Sequence, residues 1–213
     1  MATKITQEVI DSFKIKKNNL ELLNDYGILY YDFELSQLEI SMFYRKLSGE
    51  KFATASTSYA NPKRNDNLSC YYTDHKKFKD WRLYKLIKKK MESLNFKVEL
   101  EVAHVNITSI ATRPVHHIDG TTPTAIYYPN PKWENEWGGE TWLMNEQHEI
   151  ADAVKYRPGR LIIFNGNRPH ISRPPTHYSK GVNRLALAVR FAFIDSEGKK
   201  QFQIPEKNFE FIN

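Results

Sequence analysis

Cysteine is scarce in this 213-residue sequence, and the scarcity excludes one class of fold. The only cysteine, Cys70, cannot form a disulfide within the chain, so a small secreted domain held together by disulfides is excluded. The sequence also lacks any run approaching the roughly 20 apolar residues of a membrane helix. Its first residues, MATKITQEVIDSFKIKKNN, contain no apolar segment typical of a secretory signal. We therefore expect a cytoplasmic protein without a membrane segment.

Internal repeats, low-complexity tracts and Gly/Ser-rich linkers are also missing, which argues against a solenoid or a string of domains. The length suits one domain, and a chain of this size buries roughly 70% of its unfolded surface. The sequence contains 12 Tyr and 12 Phe, enough aromatic residues for an ordered core. We expect a single domain that spans residues 1–213.

Positive charge is in excess, since 31 Lys and Arg against 25 Asp and Glu give a net charge of +6. The excess is concentrated in residues 76–90, KKFKDWRLYKLIKKK, where eight of fifteen residues are basic. On a helix, the apolar residues of this segment can face inward while most lysines face solvent. We interpret the segment as a solvated helix face, and nucleic-acid binding through it is the alternative. No pattern in the sequence predicts an oligomeric state.

The first part of the chain, residues 1–95, is predicted to be mostly helical support. Residues 4–24 have the pattern of an amphipathic helix, and Ser36 has the type and position of an N-cap for a second helix. Residues 52–75 are polar, rich in turn formers and without periodicity, so we predict a long mobile loop that could close over a substrate. The basic segment predicts a helix over about residues 77–94.

After Asn95 the pattern changes to short runs of β-branched, aromatic and aliphatic residues, separated by Pro, Gly, Asn and Asp. Many short strands with such turns predict a mostly β fold, a sandwich or jelly roll, over residues 96–195. Because helices precede strands, we expect the N-terminal helices to buttress one sheet. Residues 196–213 form a C-terminal extension. The predicted strands are ILYYDF, KVELEVAHVNI, TAIYYP, ETWLM, RLIIF and RLALAVRFAF.

A candidate metal site begins in the segment RPVHHIDG, where His117 and Asp119 are two residues apart. On an extended chain their side chains point to the same side and can hold one metal ion. A third ligand from a neighbouring strand would give two histidines and one carboxylate, the arrangement that non-haem Fe(II) oxygenases need. The pair alone is a weak signal, and in isolation a surface turn is the better interpretation.

Two downstream residues corroborate the pair. His170 follows the apolar strand RLIIF and the turn NGNRP, and Arg184 begins the strand RLALAVRF. Arg184 and Arg190 share one face of that strand with two alanines. A guanidinium on an inner strand face is costly to bury without a partner, and a bound dicarboxylate would supply one.

The run of segments HID, TAIYYPNPKW, WGGETWLM, YRPGRLIIFNGNRPH and NRLALAVRF resembles the 2-oxoglutarate/Fe(II) oxygenases of the prolyl 4-hydroxylase-like group. The resemblance covers about residues 98–194. Within the group, this stretch of sequence looks especially like the hypoxia-sensing prolyl hydroxylases and the phage-type oxygenases. It implies a double-stranded β-helix, or jelly roll, that uses Fe(II), 2-oxoglutarate and O₂, and it also allows ascorbate. The implied reaction hydroxylates a prolyl or other residue of a peptide or protein and releases succinate and CO₂.

The resemblance also implies roles for individual residues. Arg184 would bind the distal carboxylate of 2-oxoglutarate, with the hydroxyl of Tyr128 as a second donor. Asn106, on the strand before the His-x-Asp turn, would help to hold the cosubstrate. The iron ligands would be His117, Asp119 and His170.

Two features depart from the family pattern. Pro129 follows Tyr128 where the family usually has Leu, and the gap from His170 to Arg184 is longer than in the hypoxia-sensing enzymes. The longer gap makes Arg190 a second candidate for binding the carboxylate. We favour Arg184 because it begins the strand and is therefore expected to lie nearer the metal.

Other functions are compatible with parts of this pattern. Members with this core also act on small molecules and nucleobases, so nucleic acid or a small molecule is an alternative substrate. A non-enzymatic jelly-roll binding module would usually lack at least one of the four site residues. A zinc hydrolase would leave Arg184 and Tyr128 without a role. His104, on the strand of Asn106, either lines the pocket or is a core histidine.

Overall fold

The helices and strands follow the predicted order, with helices first and most strands after them. The computed structural model describes residues 28–50, 53–54, 68–71, 75–94, 96–119, 123–145, 147–194 and 197–201. Its helices are α1 (Gln37–Ser48), α2 (His75–Asp80) and α3 (Arg82–Ser93), with 3-10 turns at Asn135–Trp137 and His177–Ser179. Its strands are β1 (Ile28–Asp32), β2 (Ala53–Thr54), β3 (Leu68–Tyr71), β4 (Val98–Thr108), β5 (Thr124–Tyr127), β6 (Thr141–Met144), β7 (Ile150–Val154), β8 (Arg160–Phe164), β9 (His170–Ser172), β10 (Arg184–Ile194) and β11 (Lys200–Gln201).

The strands form two antiparallel sheets. The main sheet has the order β1-β8-β5-β10-β4-β3-β2, with β11 paired to β10, and the small sheet has the order β7-β6-β9. From β5 to β10 the chain passes back and forth between the two sheets, which is the winding of a jelly roll. The predicted fold class is therefore confirmed.

Alternation along β10 divides the core into two layers. Leu185, Leu187 and Val189 pack against the helices, together with the fully buried Ile87 of α3. Burying a side chain of this size contributes about 1.5–3 kcal/mol. The alanines of β10 face the small sheet and pack near Leu143 of β6. The helices therefore cover the outer face of the main sheet, as predicted, and the space between the sheets is left for the site.

The basic segment forms two helices rather than the one predicted over residues 77–94. The helix is interrupted at Trp81, which has an extended backbone and is the N-cap residue of α3. Its ring packs edge-on against Phe78 at 5.6 Å and lies under the ammonium group of Lys46 at 3.9 Å. Tertiary packing of the indole therefore overrides a periodicity that would continue one helix.

Several of the basic side chains in this segment have partners within the protein. The ammonium group of Lys90 lies 3.6 Å from the ring centre of Tyr31, and that of Lys88 lies 3.6 Å from Glu92. Such contacts are usual for a solvated helix face. In the described part of the chain, no helix is long and apolar enough to cross a membrane.

The prediction of one continuous loop over residues 52–75 is wrong for two short segments. Strands β2 and β3 lie within it, and β3 pairs with β4 from Leu68 opposite Ile107 to Tyr71 opposite His104. Backbone pairing to an available sheet edge depends on the partner strand, so a polar composition does not reveal it. His75 begins α2, and the remainder of this segment and residues 4–24 lie outside the described residues.

The N-cap of α1 provides a test of local stability. The hydroxyl of Ser36 accepts a hydrogen bond from the Glu39 amide at 3.2 Å, and the Glu39 carboxylate accepts one from the Ser36 amide at 2.9 Å. Ser36→Ala is expected to lower the free energy of unfolding by about 1 kcal/mol in urea denaturation. Ser48→Ala, at the exposed end of the same helix, is the control and should change it by less than about 0.5 kcal/mol. Equal effects of the two substitutions would contradict the capping assignment.

Candidate functional site

The two predicted histidine ligands are brought together by backbone pairing. The His117 amide donates to the His170 carbonyl at 3.0 Å, and the His170 amide donates to the His117 carbonyl at 2.9 Å. This antiparallel bridge extends the small sheet beyond β9 and sets the two imidazole rings 4.4 Å apart. Residues 53 positions apart in sequence therefore become neighbours.

Asp119 completes a compact group of three. Its carboxylate oxygens lie 3.8 Å from Nε2 of His117 and 3.7 Å from Nε2 of His170. One ligand atom from each of the three residues lies within 4.8 Å of the others. Within the described residues, this is the one group of three such side chains with that spacing. The arrangement can hold a single metal ion.

The imidazole rings are oriented for metal binding by their other nitrogen atoms. Nδ1 of His117 lies 3.2 Å from the Val115 carbonyl, and Nδ1 of His170 lies 3.0 Å from the Arg168 carbonyl. A neutral imidazole that donates from Nδ1 has its lone pair on Nε2, the atom that faces Asp119. Hydrogen bonds of this kind fix both the tautomer and the ring angle of a metal ligand.

The charges of the site also suit a divalent cation. Burial lowers the pKa of His170, so its imidazole is neutral and free to act as a ligand. Burial opposes ionisation of Asp119, but His170 and His117 outweigh it, so the pKa of Asp119 lies below its ordinary value. Two neutral nitrogen donors and one carboxylate form the donor set of a non-haem Fe(II) site.

A second polar site surrounds Arg184 at the start of β10. Its Nε donates to the Gly139 carbonyl at 2.8 Å, and its Nη2 donates to the Thr141 hydroxyl at 3.0 Å. The guanidinium carbon lies 5.3 Å from the ring centre of Tyr128 and 5.5 Å from that of Tyr156. Nη1 is buried and has no partner among the described residues. A buried cation with an unused donor favours binding of an anion.

Thr141 connects this cation to the hydroxyl predicted as the second donor. Its oxygen accepts from Arg184 and also from the Tyr128 hydroxyl at 2.7 Å. With both lone pairs occupied, the proton of Thr141 is available for a ligand. The sequence prediction named the segment of Thr141 but gave it no chemistry. These three side chains are fully buried, so ligand binding requires surrounding side chains to shift.

The separation of the two sites follows from strand register. Leu143 of β6 pairs with His170, and Thr141 lies two residues before it on the same strand. Two residues of a strand span roughly 7 Å. The buried cation and the triad are therefore separated by a short distance that a small dicarboxylate can span.

A hydrogen-bond network holds the backbone on both sides of Arg184. Nδ2 of Asn130 donates to the Asn183 carbonyl at 3.0 Å, and its Oδ1 accepts from the Leu185 amide at 2.9 Å. The Tyr156 hydroxyl also donates to Oδ1 of Asn130 at 2.6 Å. Asn130 was part of the quoted motif, but only the tertiary contacts reveal that it positions the arginine.

Two further residues considered for the pocket, Asn106 and His104, lie on a different strand from the triad and Arg184. Asn106 and His104 lie on β4 opposite Ala186 and Ala188, on the face that points toward the small sheet. His104 is buried there, and burial lowers its pKa to about 4. The role of Asn106 in binding the cosubstrate stays a prediction.

The two arginines considered for the carboxylate lie in different environments, and the preference for Arg184 stays a prediction. Arg190, and not Arg184, contacts a member of the triad, because its Nη1 donates to the backbone carbonyl of Asp119 at 2.9 Å. Strand order alone does not give this contact, because Asp119 and Arg190 are far apart in sequence. Each arginine has one buried nitrogen without a partner among the described residues, but only Arg184 lies beside the hydroxyl groups of Thr141 and Tyr128.

Comparisons with known proteins agree with the predicted fold and family. Residues 104–191 match the family model of the 2OG-Fe(II) oxygenase superfamily, so the predicted resemblance is confirmed. No curated protein sequence matches the chain significantly.

Solved structures of 2-oxoglutarate oxygenases share the fold. A prolyl hydroxylase from Trichoplax adhaerens, in complex with a hypoxia inducible factor peptide fragment, has a TM-score of 0.59 and 19% identity over 89% of this chain and 94% of its own. The viral collagen prolyl hydroxylase of Paramecium Bursaria Chlorella virus-1, in complex with 2-oxoglutarate, has a TM-score of 0.58 and 13% identity over 80% and 97%. The carbocyclase SnoK from nogalamycin biosynthesis has a TM-score of 0.59 and 14% identity over 90% and 88%.

The buried histidine on β4 predicts how stability depends on pH. Because the pKa of His104 is lowered from 6.5 to about 4, the unfolded chain binds a proton between these values that the folded chain does not. Stability should therefore fall as pH falls, by about 2 kcal/mol for this residue between pH 6.5 and 5. Urea unfolding with a chelator should show a shallower pH dependence for His104→Gln. The exposed His177→Gln is the control, and an unchanged slope for His104→Gln would contradict the prediction.

Proposed function

Because residues 104–191 belong to the 2-oxoglutarate/Fe(II) oxygenase superfamily, we propose that the protein hydroxylates a prolyl residue of a peptide or protein. The family supplies the cofactor class, which is Fe(II), 2-oxoglutarate and O₂. In this proposal the whole chain is one oxygenase domain, residues 96–195 are its catalytic core, and Arg184 binds the distal carboxylate. The metal ligands are His117, Asp119 and His170.

The observation that carries the assignment of residues is the buried guanidinium close to the triad. Arg184 is fully buried, and its Nη1 lacks a partner among the described residues. A zinc hydrolase or a binding module has no need for this cation, and burying it without an anion is costly. A dicarboxylate that reaches from the metal to Arg184 would balance the positive charges of both the metal ion and the guanidinium.

Each protein group has a specific task in the reaction. The bound iron supplies the oxidative chemistry that couples conversion of 2-oxoglutarate and O₂ into succinate and CO₂ to hydroxylation of an unactivated carbon. Arg184, Tyr128 and Thr141 hold the distal carboxylate and so orient the keto-acid end toward the triad. The carbonyls behind the two histidines keep both Nε2 atoms directed at the metal position.

An apolar wall between the sheets excludes water from the reacting groups. Phe164 of β8 packs edge-on against His170 at 4.7 Å, and Ile126 and Ile162 continue the same face. A dry site strengthens the charge pairing of the carboxylate with Arg184 and limits unproductive reaction with solvent.

The proposal of a prolyl substrate rests on similarity to proteins that are named as prolyl hydroxylases. One similar structure holds a peptide of hypoxia inducible factor, and another is a collagen prolyl hydroxylase. Because the carbocyclase SnoK shares the fold at similar TM-score, the fold by itself does not select a substrate. A panel of proline-containing peptides, with mass spectrometry to find an added oxygen atom, tests this part of the proposal. Oxygen added only to a small molecule or nucleic acid would contradict it.

Cosubstrate binding tests the assigned residues directly. In an anaerobic titration with Fe(II) and 2-oxoglutarate, the wild-type protein should develop the visible absorption of an iron-bound keto acid. Arg184→Gln should weaken 2-oxoglutarate binding by about 10- to 100-fold, the equivalent of one or two charged hydrogen bonds. Asp119→Ala should abolish the absorption because a ligand is lost.

The matched control is Arg173→Gln, which removes a guanidinium that lies 4.2 Å from the ring centre of Trp142 instead. This variant should bind 2-oxoglutarate like the wild-type protein. When O₂ is admitted, succinate should form as the absorption decays. Absence of the absorption in the wild-type protein, with both components in excess, would contradict the assigned site.

Substitutions in the basic segment, residues 76–90, distinguish a nucleic-acid substrate from a peptide substrate. Replacing Lys88, Lys89 and Lys90 with Glu should leave 2-oxoglutarate turnover unchanged if this surface is only solvated. Turnover and salt-dependent retention of DNA and RNA can be measured on the same preparations. Strong retention by the wild-type protein that the substitution abolishes, together with oxygen added to the nucleic acid, would favour the alternative.

A further inference from the structure

Asp119 is attached to the protein at three points, although no strand holds it. Its amide donates to the Gly166 carbonyl at 2.7 Å. Its carboxylate accepts from the Thr124 hydroxyl at 2.7 Å, and its backbone carbonyl accepts from Nη1 of Arg190 at 2.9 Å. Residues outside strands have no ladder to fix them, so these bonds determine where the carboxylate points.

Two of these three attachments come from one pair of residues. Thr124 of β5 and Arg190 of β10 are opposite each other in the antiparallel register. Both therefore project from the same level of the main sheet toward Asp119. One holds the side chain of Asp119 and the other holds its backbone. Rotation of the carboxylate away from the histidines would break the first bond, and displacement of the Asp119 backbone would break the second.

The two arginines of β10 cannot share one task. Arg184 and Arg190 are six residues apart on the same strand face, which corresponds to roughly 20 Å between their backbones. Arg184 directs its donors to Gly139 and Thr141, whereas Arg190 directs a donor to Asp119. We therefore assign the distal carboxylate of the dicarboxylate to Arg184 alone.

The placement of Arg190 has an electrostatic consequence as well. Its side chain is half-buried beside a carboxylate that is only 10% exposed, and its Nε is buried without a partner among the described residues. The positive charge of Arg190 therefore lies beside the residue proposed as a metal ligand. Lysine offers a point charge without the planar fork of donors, so it would replace the charge but not the geometry.

We propose that Arg190 and Thr124 act as a clamp that positions Asp119 for metal binding. The inference deepens the proposed function and rests on it, because the clamp matters only if Asp119 is a metal ligand. Neither residue touches the cosubstrate in this assignment. Loss of the clamp should therefore weaken metal binding and leave 2-oxoglutarate binding intact once the metal is saturating.

The test measures two affinities separately. Binding of Mn(II), which avoids oxidation, is measured first without cosubstrate, and binding of 2-oxoglutarate is then measured at saturating Mn(II). Arg190→Gln should weaken Mn(II) binding by about 10- to 100-fold, the usual effect of removing a group that supports a metal ligand. Its 2-oxoglutarate affinity should stay within about two-fold of wild type. Arg184→Gln should show the reverse pattern.

Variants of Thr124 provide an independent arm that does not alter charge. Thr124→Val keeps the shape of the side chain but removes the hydroxyl, so it should also weaken Mn(II) binding. Thr124→Ser keeps the hydroxyl and should restore affinity close to wild type, which a purely structural role would not predict. Because both residues hold the same aspartate, the double variant should lose less affinity than the two single losses combined.

The outcomes distinguish the clamp from the proposed function. If the wild-type protein binds Mn(II) and 2-oxoglutarate but both clamp variants keep wild-type Mn(II) affinity, the clamp is wrong and the proposed function stands. If Arg190→Gln loses 2-oxoglutarate affinity instead, Arg190 is a cosubstrate ligand and the clamp is also wrong. If the wild-type protein binds no Mn(II), the proposed function fails and the clamp fails with it. Urea unfolding of metal-free variants identifies any that do not fold, and Arg190→Lys then replaces Arg190→Gln.

Discussion

The pair of hydrogen bonds between the backbones of His117 and His170 is the constraint on which the site depends. It attaches the segment before β5 to the small sheet and sets two imidazole rings 4.4 Å apart. Asp119, two residues after His117, then has both rings within reach of its carboxylate. Because a β-bridge fixes the direction of the side chains on both partners, the geometry of the three ligands follows from main-chain pairing. The side chains themselves add only orientation, through carbonyls that bind Nδ1.

Burial of charge is the second feature that organises the space between the sheets. Ala186 and Ala188 leave room on the inner face of β10, between Arg184 at the start of the strand and Arg190 six residues later. Each guanidinium has a distinct environment. Thr141 and two tyrosine rings surround that of Arg184, and Asp119 lies beside that of Arg190. A protein rarely buries an arginine without a partner, so the two guanidinium groups are expected to pair with different groups. Arg190 donates to Asp119 within the chain, whereas Arg184 lies beside the hydroxyl groups of Thr141 and Tyr128.

Much of the fold was predictable because it depends on local pattern. Six of the strands lie close to the predicted runs, and the capping box at Ser36 begins α1 where the sequence indicates. The short strands β2, β3, β7 and β9 were not predicted, because a few residues carry little periodicity and their pairing depends on distant partners. The break at Trp81 was missed for the same reason, since it results from packing against Phe78 and Lys46.

The sequence by itself determined which residue types are available for the chemistry: two histidines and an aspartate in a spacing that suits one metal ion, and an arginine at the start of an apolar strand. Their order also indicates the family, because such a pattern of short motifs is rarely met by chance. Only the tertiary structure decided how these groups are supported. The contacts of Thr124, Thr141 and Asn130, and the separate environments of Arg184 and Arg190, depend on cross-strand register and on pairing between residues far apart in sequence. Local sequence contains no record of such contacts, because they exist only when the two sheets face each other.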